Sequence, residues 1–360
     1  MRPARMTKAA ALLLAGSLAL AACASDEKSG GSSGSSGSGG GGDTAGDLKV
    51  GLAYDAVGRG DKSFNDSAFA GVEAAIKEHG GDFSEVTPNE DGSDRAELLA
   101  QLAEQGFDPV IAVGFAYDEV IADVAADFPD TTFAQVDGSV TLPDGSSKGD
   151  NVTGLLFSEE QGSFLAGAAA ALKSATGKIG FVGGVETTLI EKFQAGYEAG
   201  AKAVKPDIAV DSQYISPAGD FSGFNDPARA EILASGMFDA GADIVYHAAG
   251  GSGTGVFRAA VAAKGRAIGV DSDQYETVGD PALQAVIMTS MLKRVDNAVQ
   301  AFIDSYVEGK VAGGEDVVND LSTEGVGLST SGGFIEDIQD QLDDFKQKII
   351  DGDIEVPTTP

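Results

Sequence analysis

The sequence contains no tryptophan, a single cysteine (Cys23) and only two histidines (His79 and His247) among its 360 residues. One cysteine forms no intramolecular disulfide, and with two histidines it cannot complete an all-Cys/His zinc site. Histidine acid–base chemistry is confined to those two positions, no Ser/His/Asp constellation stands out, and any ring stacked on a ligand has to come from Phe or Tyr. Basic residues are also scarce: 24 Lys and Arg face 56 Asp and Glu, a net charge of −32. Phosphate recognition needs a cationic footprint, so the balance argues against nucleic acid as a partner. No metal site and no cofactor motif emerge.

At the amino terminus, Arg2, Arg5 and Lys8 precede the uncharged Ala/Leu-rich run 9–22. Fourteen residues suit the apolar region of a signal peptide and fall short of the roughly 20 needed to span a bilayer as a helix. The run ends in Leu20-Ala21-Ala22-Cys23, the pattern of a bacterial lipobox, in which the cysteine is lipidated and becomes the first residue. Residues 1–22 are therefore expected to be removed, leaving a net charge of −35. A surface of that charge repels anionic lipid, so the membrane link is covalent, through Cys23. Residues 23–47 are mostly Ser, Gly and Asp, and about 20 such residues give a flexible tether with an r.m.s. reach on the order of 25 Å. The expected location is the extracytoplasmic face of the cell membrane.

With 42% apolar residues the chain can bury a large core, and its length suggests two compact units. From Leu48 onward, short β-like runs alternate with Ala-rich segments of helical period, which predicts an α/β fold with parallel sheets covered on both faces. Two doubly wound lobes with a cleft between them are expected: 48–155 plus part of about 271–297, and 156–270 plus part of about 298–357. Ligands of such sheets bind beyond the carboxyl ends of strands.

Candidate site residues follow from that rule. The loop Asp55–Asp66 after the first strand gathers Asp55, Phe64 and Asn65 before a helix that Asn65 or Asp66 could cap. Asp137 and Asp271 each end a strand, and a carboxylate there can accept two hydrogen bonds from a vicinal diol. Lys293 is read as opening a helix, where a cation opposes the dipole and so points to a ligand or salt-bridge role. Gly250–Gly255 follows a strand and precedes a helix, but it lacks the Lys-Ser/Thr of a nucleotide loop, which favours a close backbone approach to a neutral ligand at Gly250. His79 is expected to meet free carbonyls at a helix end, and His247 to stand in the site wall. Arg59-Gly60-Asp61 is a turn rather than an adhesion signal.

Several phrases resemble the basic membrane protein (PnrA-like) family of purine-nucleoside-binding lipoproteins that serve ABC importers: Asp61-Lys-Ser-Phe-Asn-Asp-Ser-Ala68, Lys192-Phe-Gln-Ala-Gly-Tyr197, Phe224-Asn-Asp-Pro227, Gly269-Val-Asp271 and the closing stretch 346–357. The resemblance covers about 48–357 and implies a type I periplasmic-binding-protein fold with a hinge, no catalysis and no cofactor. It also implies a monomer that meets a nucleoside and the permease subunits of an ABC transporter. It further implies that Phe64 stacks on the base with Phe193 or Phe224 opposite. Asp55, Asn65 and Asp137 would then bind polar edges, Gly250 would approach closely, and Asp271 and Lys293 would address the ribose hydroxyls. The sequence differs from many members at Ala56, where a second acidic residue is common. A sensory lipoprotein and a sugar-binding protein of the same fold are the alternatives; a nucleoside hydrolase fits less well, because Asp55–Asp61 is too sparse in carboxylates for its calcium cluster.

Overall fold

Strands buried on both faces read as largely apolar runs, and the centre of each sheet follows that rule: Val110–Val113 in one and Ile244–Ala248 in the other are buried at every position. The computed structural model describes residues 48–360 except 90, 143 and 312; the leader, Cys23 and the tether lie outside the described residues. The chain first runs through β1 (Lys49–Ala53), α1 (Phe64–His79), β2 (Asp82–Val86), α2 (Arg95–Glu104), β3 (Val110–Val113), α3 (Ile121–Asp127), β4 (Phe133–Val136) and β5 (Val152–Phe157). It continues as α4 (Glu159–Lys173), β6 (Lys178–Val185), α5 (Thr188–Val204), β7 (Ala209–Ser216), α6 (Pro227–Asp239), β8 (Ile244–Ala248), α7 (Gly253–Ala263), β9 (Arg266–Asp271), α8 (Gln274–Thr277) and α9 (Pro281–Gln284). Last come β10 (Ile287–Lys293), α10 (Val295–Val307), β11 (Asp316–Asn319), β12 (Val326–Leu328) and α11 (Gln339–Ile350).

These strands form two six-stranded sheets, ordered β11-β5-β4-β3-β1-β2 and β12-β10-β9-β8-β6-β7, parallel except for β12 against β10. Each sheet is the centre of one lobe. The exchange of chain between lobes differs from the sequence expectation. Residues 271–293 stay with the second lobe, because β10 pairs in parallel with β9 along most of its length. The segment that returns to the first lobe is α10, packed on α1, followed by β11 beside β5. The chain then goes back, so that β12 and α11, packed on α4, complete the second lobe. Three segments therefore cross the hinge: around Ser158, around Arg294 and at 320–325.

Close packing of α4 on α5 fixes the helices that feed the cleft. A Cβ on Gly167 would overlap the carbonyl oxygen of Tyr197, and one on Gly200 that of Phe164. Alanine normally stabilises a helix by about 1 kcal/mol over glycine. At Gly167 the sign is expected to reverse: Gly167→Ala should lower stability by about 1–3 kcal/mol through overpacking. Urea unfolding checks this, and a gain in stability would refute the backbone-to-backbone contact.

Candidate functional site

The loop after β1 turns the chain from the carboxyl end of that strand into α1, and one buried carboxylate organises it. Asp61 Oδ1 accepts the backbone N–H groups of Ser63 (3.0 Å) and Asp66 (3.1 Å), while Oδ2 accepts those of Asn65 (2.8 Å) and the Asn65 amide (3.2 Å). Asp61, rather than Asn65 or Asp66, thus satisfies the open end of the helix. Its job leaves the Asn65 side chain free to turn inward, where Nδ2 donates to Asp55 Oδ1 at 2.8 Å. Burial raises both acids, Asp61 to about 6, and the hydrogen bonds of Asn65 oppose the rise at Asp55.

Two strand ends supply the next pair. Asp137 follows β4 at φ 64° and Asp271 ends β9 at φ 63°. A non-glycine residue in the left-handed region is uncommon and is tolerated best by Asp and Asn; two such residues at the carboxyl ends of strands in different lobes mark a constrained site. Lys293 lies between them. It is the last residue of β10 and does not open α10, as the sequence suggested, because the chain leaves the sheet only at Arg294. Lys293 Nζ lies 2.7 Å from Asp137 and 3.0 Å from Glu159 Oε1, and all three side chains are at most 3% exposed. Lys192 adds a second cation 3.3 Å from Glu159 Oε2.

One ammonium among three acids sets the charge state. Burial works against the Lys293 cation, but Asp137, Glu159 and Asp271 outweigh it and raise its pKa. The carboxyls carry the surplus: burial pushes Asp137 up to about 6 and Asp271 up to about 7, with the Lys293 charge pulling both back. Asp137 Oδ1 and Glu159 Oε1 are buried and contact the Lys293 ammonium as ion pairs, without an aligned hydrogen bond among the described residues. A carboxylate paired in this way keeps lone pairs for a further donor.

The aromatic residues enclose this charge. The Lys293 ammonium stands 5.2 Å from the Phe64 ring centre, 5.0 Å from Phe157 and 5.6 Å from Phe193, a desolvated cation–π cluster. Phe224 comes from the second lobe, resting on Gly184 and beside Gly250. Phe221, from the same turn, meets Phe115 of the first lobe at 5.5 Å. All nine sequence-derived positions (Asp55, Phe64, Asn65, Asp137, Phe193, Phe224, Gly250, Asp271 and Lys293) line one cavity between the lobes.

Other expectations fare differently. His247 is fully buried behind the wall, its Nε2 3.0 Å from Gln274 Oε1, and burial lowers it to about 4, so it stays neutral. His79 meets the Asp304 carboxylate of α10 at 2.6 Å instead of free carbonyls. Asp61, Ser63, Phe115, Glu159 and Phe221 were not singled out from the sequence as members of this assembly. Ser63 and Glu159 had no local signal; Phe221 follows the turn Pro217–Asp220, whose Pro, Gly and Asp read as an ordinary connection.

Two largely parallel sheets enclosing a polar and aromatic cavity are the arrangement of the type I periplasmic-binding fold. Residues 48–360 match the family described as "ABC transporter substrate-binding protein PnrA-like". The chain is 36% identical to the Lactococcus lactis "ABC transporter nucleoside-binding protein BmpA", over 87% of this chain and 90% of that one. It is 32% identical to Borreliella burgdorferi "Basic membrane protein A", over 83% and 84%. A solute-binding protein of an ABC transporter system from Aeropyrum pernix superposes with a TM-score of 0.73 at 28% identity, covering 86% of this chain and 93% of that one. The chain belongs to the PnrA-like family of ABC transporter substrate-binding proteins.

Proposed function

We propose that this substrate-binding protein is the nucleoside receptor of an ABC importer, with purine nucleosides favoured, held to the outer face of the cell membrane by lipid on Cys23. The observation that carries the ligand class is the pairing, in one interlobe cavity, of aromatic rings with the carboxylates Asp55, Asp137 and Asp271, whose protein donors leave lone pairs free. A nucleoside supplies both complements: a flat face for the rings and hydroxyl donors for the carboxylates. Its purine preference rests on the family resemblance, and the name of the Lactococcus lactis relative supports the nucleoside. The anchor rests on the order of Arg2, Arg5 and Lys8, the apolar run and Leu20-Ala21-Ala22-Cys23.

In this reading Phe64 and Phe224 take the two faces of the base, one from each lobe, because Phe193 is 3% exposed and packed beside the Lys293 ammonium as the end wall. Asp55, Asn65 and Asp137 receive polar edges, Gly250 permits close approach, and Asp271 with Lys293 holds the ribose hydroxyls. Contacts made with both lobes favour the closed form, which the permease recognises. Only the difference in contacts between open and closed forms drives closure.

Thermal unfolding of the mature chain carrying Cys23→Ser, refolded to strip bound ligand, tests the ligand class. At one hundred times its dissociation constant a ligand of the native state adds about 2.7 kcal/mol. Inosine, guanosine and adenosine are expected to raise the unfolding temperature by several degrees, with ribose and common sugars inert. A shift with sugars and none with nucleosides would replace the nucleoside by a sugar.

A further inference from the structure

Asp271 belongs to the second lobe, yet its closest polar partner comes from the first. Ser63 Oγ donates to Asp271 Oδ2 at 2.5 Å, and both side chains are buried. The corner that carries Ser63 is seated on the second lobe by independent bonds. Lys62 Nζ donates to the Val278 carbonyl at 2.6 Å, Gln274 Nε2 to the Lys62 carbonyl at 3.2 Å, and Ser272 Oγ to the Ser63 carbonyl at 3.0 Å. Asp61 fixes the Ser63 backbone N–H from the other side, at 3.0 Å. A hydroxyl held this firmly against a carboxylate in a left-handed backbone conformation restricts where that carboxylate can point.

We propose that Ser63 is a positioning residue: reaching across the cleft, it orients the Asp271 carboxylate so that its remaining lone pairs face the ligand, and thereby ties ligand binding by Asp271 to closure of the lobes. This rests on Asp271 contacting the nucleoside as described above. Bond geometry carries it, and the chemistry agrees: a neutral donor 2.5 Å from a carboxylate favours the ionised form, the form that accepts hydroxyl protons. The same carboxyl is faced by Asp61 ahead of α1, Asp137 after β4, Tyr246 in β8 and Lys293 at the end of β10. Lys62, Asp66, Asp273, Arg294 and Asp296 line the groove on its outer side. All of these stay in place when only the hydroxyl is removed.

The test combines two readouts on the mature chain. Calorimetry with inosine is expected to show Ser63→Ala weakened about tenfold, Ser63→Thr restored to near wild type, and no further loss when Ser63→Ala is added to Asp271→Ala. Carbon-13 NMR titration of the Asp271 carboxyl in the unliganded protein, assigned by its loss in Asp271→Asn, is expected to move to higher pH in Ser63→Ala. If Ser63→Ala does not fold, Ser63→Cys, of similar shape and a weak donor, carries both comparisons. Unchanged affinity with an unchanged titration overturns the proposal, and so does an equal loss in the Asp271→Ala background. Should wild type bind no nucleoside while the titration still moves, the proposed ligand falls and the link from Ser63 to Asp271 stands.

Discussion

Asp271→Asn is expected to weaken inosine binding by roughly ten- to a hundredfold and, in the unliganded protein, to raise stability above pH 7. The two effects have one cause. A carboxylate hydrogen bond to ligand hydroxyls contributes about 1.5–3 kcal/mol, which sets the loss in affinity. The same carboxyl titrates at about 7 in the folded protein, well above the ordinary value of about 3.9 for a free Asp. Between those two pH values the folded state keeps a proton that the unfolded state has released. The contribution of Asp271 to stability is therefore full below about pH 4 and is lost as pH rises through about 7. Asparagine has no proton to lose, so its advantage should grow with pH. Unfolding curves at pH 5 and pH 8 read the stability, and calorimetry reads the affinity. Unchanged affinity would remove Asp271 from the site, and a variant less stable than wild type at pH 8 would refute the burden placed on the buried carboxylate.

The largest effect on stability is expected at Lys293. Lys293→Met keeps an apolar stem of similar length but leaves Asp137 and Asp271 buried without the ammonium that neutralises them, and Glu159 with Lys192 alone. Removing one partner of a buried ionic cluster typically costs about 3–5 kcal/mol, because the remaining charge is uncompensated. At pH 5 the loss should shrink, since Asp137 and Asp271, which titrate at about 6 and 7, take up protons. Urea unfolding at pH 5 and pH 8 separates this electrostatic cause from loss of packing. An equal loss at both values, or one below about 1 kcal/mol at pH 8, would contradict the charge balance described for the site.

The residues that the sequence made conspicuous were those whose chemistry conflicts with an ordinary location. Asp137 and Asp271 end apolar strands, and Phe64 stands among turn residues before a helix; all three line the cavity. The central strands were legible because their apolar runs leave no polar face. β2 and β11 were not, because both lie at a sheet edge and neither has a buried residue, so Asp82–Val86 and Asp316–Asn319 carry no long apolar run. β12 has only three residues. Missing β11 and β12 displaced the expected exchange of chain between the lobes. It also placed Lys293 in a helix, since nothing local distinguishes the end of β10 from the start of α10. Partners distant in sequence were the other loss: Ser63 and Asp271 are 208 residues apart and Asp137 and Lys293 are 156 apart. Only the folded chain brings such groups to bonding distance.

Titration calorimetry of the ligand-stripped mature chain with inosine, run from pH 5 to pH 8 in buffers of different ionisation heat, tests the central claim most directly. The account predicts saturable binding of one inosine, affinity that rises with pH, and release of protons on binding, because ligand hydroxyls favour the ionised form of carboxyls that titrate at about 6 and 7. No binding of any nucleoside, or inosine binding that is independent of pH and releases no proton, would contradict it.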